Sequence, residues 1–124
     1  MFNKGSELLE LCAAKNSKIY EIVLEKEHQD TQISYNKLKD KMKETLDVMK
    51  SSATAALNKE IRSVSGITGG NSKRVQDYMK SGNTLSGKFM NVAMAQALST
   101  SEVNASMGKI VAAPTAGASG ILPG

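Results

Sequence analysis

From Phe89 to Gly124 the chain carries only two charged residues, Glu102 and Lys109. That depletion limits the possible folds more than any other feature. So long a stretch with so little charge reads as material for an interior. A solvated linker would carry more charge, or more Ser and Pro. Residues 104–124 read NASMGKIVAAPTAGASGILPG. They begin as the end of a helix and continue as a loop of Gly, Ala, Ser, Thr and Pro. A loop that is both glycine-rich and apolar is best explained as packed against something. Glycine lets backbone approach a ligand, and it leaves N–H groups pointing outward as anion donors. The sequence stops at Leu122-Pro123-Gly124 without a closing element, so a chain cut in mid-fold is expected.

Upstream, the apolar period is helical. Glu7 and Glu10 suit the positive end of a helix capped by Ser6, and Leu8, Leu11 and Cys12 predict a helix over 7–15. Ile19, Ile22 and Val23 predict a second over 18–28. The third is the clearest, starting near Thr31 or Ser34. Leu38, Met42, Thr45, Leu46, Met49, Ala53, Ala56 and Leu57 follow a 3.6-residue period, and the helix should end between Lys59 and Arg62. Its exposed charges pair about as often with like as with opposite sign, so packing of the apolar face must hold it. Asn71 or Ser72 can cap a fourth helix, Lys73–Lys80. A fifth runs from about Ser86 to Met107, with Phe89, Val92, Ala93, Gln96, Ala97, Thr100 and Asn104 as its expected inner face. Lys109–Ala113 is the only candidate strand. The expected class is all-α: about five helices with two glycine-rich loops, part of a larger helical domain.

Charge adds little. A net +4, with basic and acidic residues interleaved, describes a solvated helical face and not a nucleic-acid surface. No apolar run is long enough to span a bilayer, and Glu7 and Glu10 interrupt any signal-peptide core. One cysteine cannot form an internal disulfide. The cytoplasm is the expected compartment, with no nucleic-acid or membrane partner.

Gly82-Asn83-Thr84-Leu85-Ser86-Gly87-Lys88-Phe89 nearly fits the phosphate-loop pattern, but Phe89 has no hydroxyl for magnesium and the preceding segment reads as helix. A helix-to-helix turn is the better reading. Cys12 reads as a structural thiol, and His28 as a solvated cap near a helix C-terminus. One of each cannot assemble a metal site, so no metal ligand is expected here. The methionines on helices three and five read as core packing. The glycine loops are the candidates for chemistry. Ser63, Ser65 and Thr68 hydroxyls beside Gly66, Gly69 and Gly70 could cradle a carboxylate or phosphate, and Pro114, Thr115, Gly117, Ala118 and Gly120 share that chemistry.

The stretch APTAGASGILPG, with NASMGKIV before it and RSVSGITGG upstream, resembles the alpha chain of iron–sulfur-dependent L-serine dehydratases. SELLELC and VLEKE are similar in the same order, so the resemblance runs through the whole chain. It implies the N-terminal part of an alpha-chain catalytic domain, covering 1–124. It implies an L-serine ammonia-lyase acting on L-serine, with a 4Fe-4S cluster held by cysteines beyond Gly124, and a beta chain or beta domain as partner. Residues 1–124 alone would then be inactive. The two loops are the expected substrate-binding elements, and the catalytic base is not assigned. The alternative is a non-catalytic helical interaction module, with the apolar C-terminal half as its docking face.

That half generates one prediction. Uncovered apolar patches tend to find partners. In the isolated chain, residues from about Phe89 onward should therefore be covered by another copy of the chain, or be disordered past Pro114. Sedimentation at micromolar concentration checks this, and a clean monomer with an ordered PTAGASG loop would overturn it.

Overall fold

The computed structural model describes residues 2–124. Five helices form: α1 Gly5–Lys15, α2 Ile19–Thr31, α3 Tyr35–Ala55, α4 Asn71–Lys80 and α5 Gly87–Ala105, followed by one turn of 3₁₀ helix, Ala116–Ala118. Among the described residues there is no strand, and one isolated antiparallel bridge joins Arg62 to Gly69. The chain is all-α, as the periodicity predicts. No helix among the described residues is long and apolar enough to cross a membrane. The chain divides into two compact units, residues 1–43 and 44–124, with the boundary inside α3.

In the first unit, side chains close the helix starts. Glu7, and not Ser6, reaches back to the amides of Asn3 and Lys4, at 2.7 and 3.3 Å. Glu21 does the same for Lys18 at 2.8 Å. Asn16 ends α1 in the left-handed region, which Asn tolerates better than most residues. Lys15 pairs with Glu25 at 2.7 Å across the α1–α2 hairpin, and Ile22 is its buried apolar residue. His28 is not a solvated cap. It is half-buried, its Nδ1 lies 2.7 Å from the Ile33 carbonyl, and its ring packs against Tyr35. Cys12 is free and half-buried.

The second unit is built around α5. Its buried stripe is Asn91, Ala95, Ser99, Thr100, Glu102 and Val103. It shares only Thr100 with the face the hydropathy pattern predicts: Phe89 is 89% exposed, Ala93 is exposed too, and Val92, Gln96, Ala97 and Asn104 are half-buried. The difference has a physical cause. The neighbours of α5 approach close enough for hydrogen bonds to main chain, and only small or polar side chains fit between. Ser72 Oγ donates to the Ala95 carbonyl at 2.8 Å and ties α4 to α5. Asn91 Nδ2 donates to the Gly87 carbonyl at 2.7 Å, and its Oδ1 lies 3.3 Å from Ser86 Oγ.

Ser99 sets the end of α3. Its hydroxyl donates to the Ser52 carbonyl at 2.7 Å and accepts from the Ala56 amide at 2.9 Å. In a continuing helix those two groups would bond each other directly. The hydroxyl stands between them, and α3 stops at Ala55, short of the predicted 59–62. On the exposed face of α4, Lys73 and Lys80 both reach Asp77 and hold its carboxyl below the usual range, chiefly through the Lys73 hydrogen bond. Such exposed pairs add little stability.

Ser99→Ala should destabilise the chain by about 1–3 kcal/mol, because it strands a buried donor and a buried acceptor. Denaturant unfolding measures this. A change within about 0.5 kcal/mol, the range typical of surface substitutions, would show that the inserted hydroxyl is not a fastening point.

Candidate functional site

Both glycine-rich loops lie in the second unit, and the structure brings both to the last turn of α5. Val64 N donates to the Ala105 carbonyl at 3.1 Å. On the neighbouring residue, Asn104 Nδ2 donates to the Ala116 carbonyl at 3.3 Å. One helix end thus anchors SVSGITGG and PTAGASG, 12 residues beyond it in the second case.

The first loop is a tight hairpin. Ser63 N donates to the Thr68 carbonyl at 2.9 Å, and Gly66 N to the Ser63 carbonyl at 2.8 Å. Ser63 Oγ and Ser65 Oγ lie 3.1 Å apart. Thr68 N donates to Ser63 Oγ at 3.3 Å and Ile67 N to Ser65 Oγ at 3.4 Å. The amides of Gly66, Ile67 and Thr68 are thus engaged within the loop. Ser65, Gly66 and Thr68 are exposed, and Ser63 is half-buried. Gly69 and Gly70 are buried and lead into α4. At Gly69, φ is +129°, and an added Cβ would strike the Ile61 carbonyl and stand 2.9 Å from Arg62 Cα.

The start of α4 is where sequence reasoning misses a residue. The sequence offers Asn71 or Ser72 as the cap of this helix. In the structure Asn71 N and Ser72 N donate to Glu102 Oε1, at 2.6 and 3.2 Å. Glu102 is 7% exposed, and its Oε2 is buried with no hydrogen-bond partner among the described residues. A carboxylate alone in a charge-poor helix was the available signal, but nothing in the sequence says which amides it meets.

The second loop lies along α5. Thr115 Oγ1 accepts from Ala118 N at 3.3 Å, and buried Ser119 donates to the Ala116 carbonyl at 2.7 Å. Pro114, Thr115 and Gly117 are exposed, and Ala118 is half-buried. At Gly120 an added Cβ would stand 3.0 Å from the Ala97 carbonyl and 3.2 Å from Ser101 Oγ. The loop rests directly on the helix backbone, which explains its small residues. Beside it, Phe89, Ala93, Met94 and Ile121 line an open groove of about 440 Å³. The Gly82–Lys88 stretch connects α4 to α5, with Lys88 in the first turn of α5. No strand precedes it, so the context a phosphate loop requires is missing.

The arrangement is an all-helical scaffold that presents two small-residue loops at one helix end, with hydroxyl donors on the first. The family described as "Serine dehydratase alpha chain" matches residues 14–124, and the chain belongs to it. It is 44% identical over 123 residues to the L-serine dehydratase alpha chain of Peptoniphilus asaccharolyticus, covering 99% of this chain and 42% of that one. It is 36% identical over 124 residues to a Bacillus subtilis (strain 168) protein named "Probable L-serine dehydratase, alpha chain", covering 100% of this chain and 41% of that one. The chain thus spans about four tenths of the length of these curated relatives. No solved structure matches it.

Gly69→Ala should cost at least about 2 kcal/mol, since the new methyl meets backbone that cannot rotate away and the φ is one that alanine avoids. Thermal or denaturant unfolding gives the number. A neutral result would mean that the hairpin can open at Ile61 without cost.

Proposed function

We propose that this chain supplies the substrate-positioning loops of an L-serine dehydratase, the ammonia-lyase that converts L-serine to pyruvate and ammonia. The observation behind this reading is the convergence of the two glycine-rich loops on Asn104 and Ala105. Family membership supports the reaction class, and the relatives' names support L-serine as the substrate.

Proton accounting narrows the role of the first loop. Ser63 and Ser65 each accept a backbone amide, and one hydroxyl proton is spent on the bond between them. One O–H from the pair, together with the Thr68 hydroxyl, is left to donate to an anion. Accepting an amide polarises a hydroxyl and strengthens it as a donor. Neutral donors suit an amino-acid carboxylate because they do not titrate near neutral pH. PTAGASG would close the other side of the substrate, its small residues admitting backbone close to it.

The reaction removes the α-proton of L-serine and expels its hydroxyl as water. The resulting aminoacrylate tautomerises to an imine, and water then releases pyruvate and ammonia. The family resemblance brings a 4Fe-4S cluster to this chemistry as a Lewis acid. Such a cluster takes cysteine thiolates, and the only cysteine here is Cys12. Among the described residues no group of three His, Cys, Asp or Glu side chains could hold a metal ion. These residues do not fit the cluster. Its ligands, the base and a beta chain or beta domain belong, in this reading, to other parts of the enzyme.

Steady-state kinetics of the holoenzyme on L-serine test the proposal. Ser65→Ala and Thr68→Ala should each raise KM about tenfold to a hundredfold, the loss expected for one hydrogen bond to a charged group. Thermal stability should hold, because both side chains are exposed. Absence of pyruvate from the unaltered enzyme would reject the activity. An unchanged KM in both variants would reject the loop's role.

A further inference from the structure

Helix α5 holds the first loop at both ends. Ala105 accepts from Val64 at the loop's start, and Glu102, one turn earlier, accepts from Asn71 and Ser72 just past its end. We propose that Glu102 is a positioning residue for the substrate: its carboxylate fixes the Thr68-Gly69-Gly70 turn, and so sets where the Ser63, Ser65 and Thr68 hydroxyls stand. The inference rests on the reading of those hydroxyls as substrate donors.

A helix normally takes its cap from the residue at its own N-cap. Here that residue is Gly70, with φ +80° and the Glu60 Cδ 3.2 Å from where a Cβ would stand. Both facts oppose a capping side chain at 70. The cap therefore comes from a carboxylate 31 residues along the chain. It is a costly cap. Glu102 is buried, and of its two oxygens only Oε1 has hydrogen-bond donors among the described residues. Burying a carboxylate with one oxygen unpaired disfavours the folded state. What the arrangement secures is register. Ser63 N is bonded to the Thr68 carbonyl, so any shift at the start of α4 passes through Gly69 and Gly70 into the hairpin. An anionic acceptor holds two amides at once and also suits the positive end of the α4 dipole.

The test compares Glu102→Ala, Glu102→Gln and Glu102→Asp in the holoenzyme. It reads KM and kcat for L-serine alongside amide hydrogen exchange over residues 63–72. Gln keeps an oxygen for both amides, whereas Asp withdraws it by one methylene and Ala removes it. Glu102→Ala should raise KM about tenfold, with a smaller effect on kcat, and speed exchange over 63–72 about tenfold. Glu102→Gln should recover most of both losses, and Glu102→Asp should fall between. An Ala variant with a lowered melting temperature but unchanged KM and unchanged exchange over 63–72 would make Glu102 merely structural and overturn the proposal. If Glu102→Ala does not fold, Glu102→Asp decides: raised KM with faster loop exchange supports the proposal, and no change in either overturns it. If the unaltered enzyme does not turn over L-serine, the functional reading fails. Loop exchange in the variants then decides alone, with faster exchange confined to 63–72 in support and unchanged exchange against.

Discussion

One hydroxyl, on Ser99, sits inside another helix's hydrogen-bond ladder. By standing between the Ala56 amide and the Ser52 carbonyl it stops α3 and fastens it to α5 in the same contact. The rest of the second unit is fastened to the same helix by related means. Glu102 starts α4, and the Ala95 carbonyl receives Ser72. The bare surface at Ala97 admits Gly120 and Gly124. Each attachment is between side chain and main chain, or nearly between two main chains. Such contacts need helices that almost touch, and α5 permits this because its buried stripe carries nothing bulkier than Glu102.

The interior that results is small and polar. Ser52, Ser72, Asn91, Ser99, Thr100 and Ser119 are buried, while Phe89, Leu46, Ile121 and Leu122 are exposed. This reverses the usual partition, and it is stable only because the buried hydroxyls and amides find partners. A typical hydrogen bond adds about 1 kcal/mol net, while an orphaned buried group costs about 1–3. Such a core depends on geometry more than on area. It gains less from burial than an aliphatic core would, but it fixes the register of every element it touches. The hairpin at 63–70 contributes little core of its own and takes its shape from α5.

Periodicity and turn chemistry located the five helices and the two loops, because those follow from local preferences. The motifs SVSGITGG and APTAGASGILPG carried the family for the same reason, since glycines at fixed places record where backbone must pass closely. The face of α5 was legible only at Thr100. A hydropathy pattern points Phe89 and Val92 inward, and it cannot register that Ser99 and Glu102 will each meet main-chain partners from distant segments.

The sequence by itself determined the helical class, the places of the two loops and the family, all of which are set by residues near one another in the chain. Tertiary structure alone decided three further matters: that α3 ends at Ala55, that the first amides of α4 belong to Glu102, and that both loops meet at Asn104 and Ala105. Each depends on hydrogen bonds between segments 12 to 47 residues apart. The donors and acceptors in such bonds are ordinary hydroxyls, amides and carboxylates, and nothing in their identity names the partner they will find.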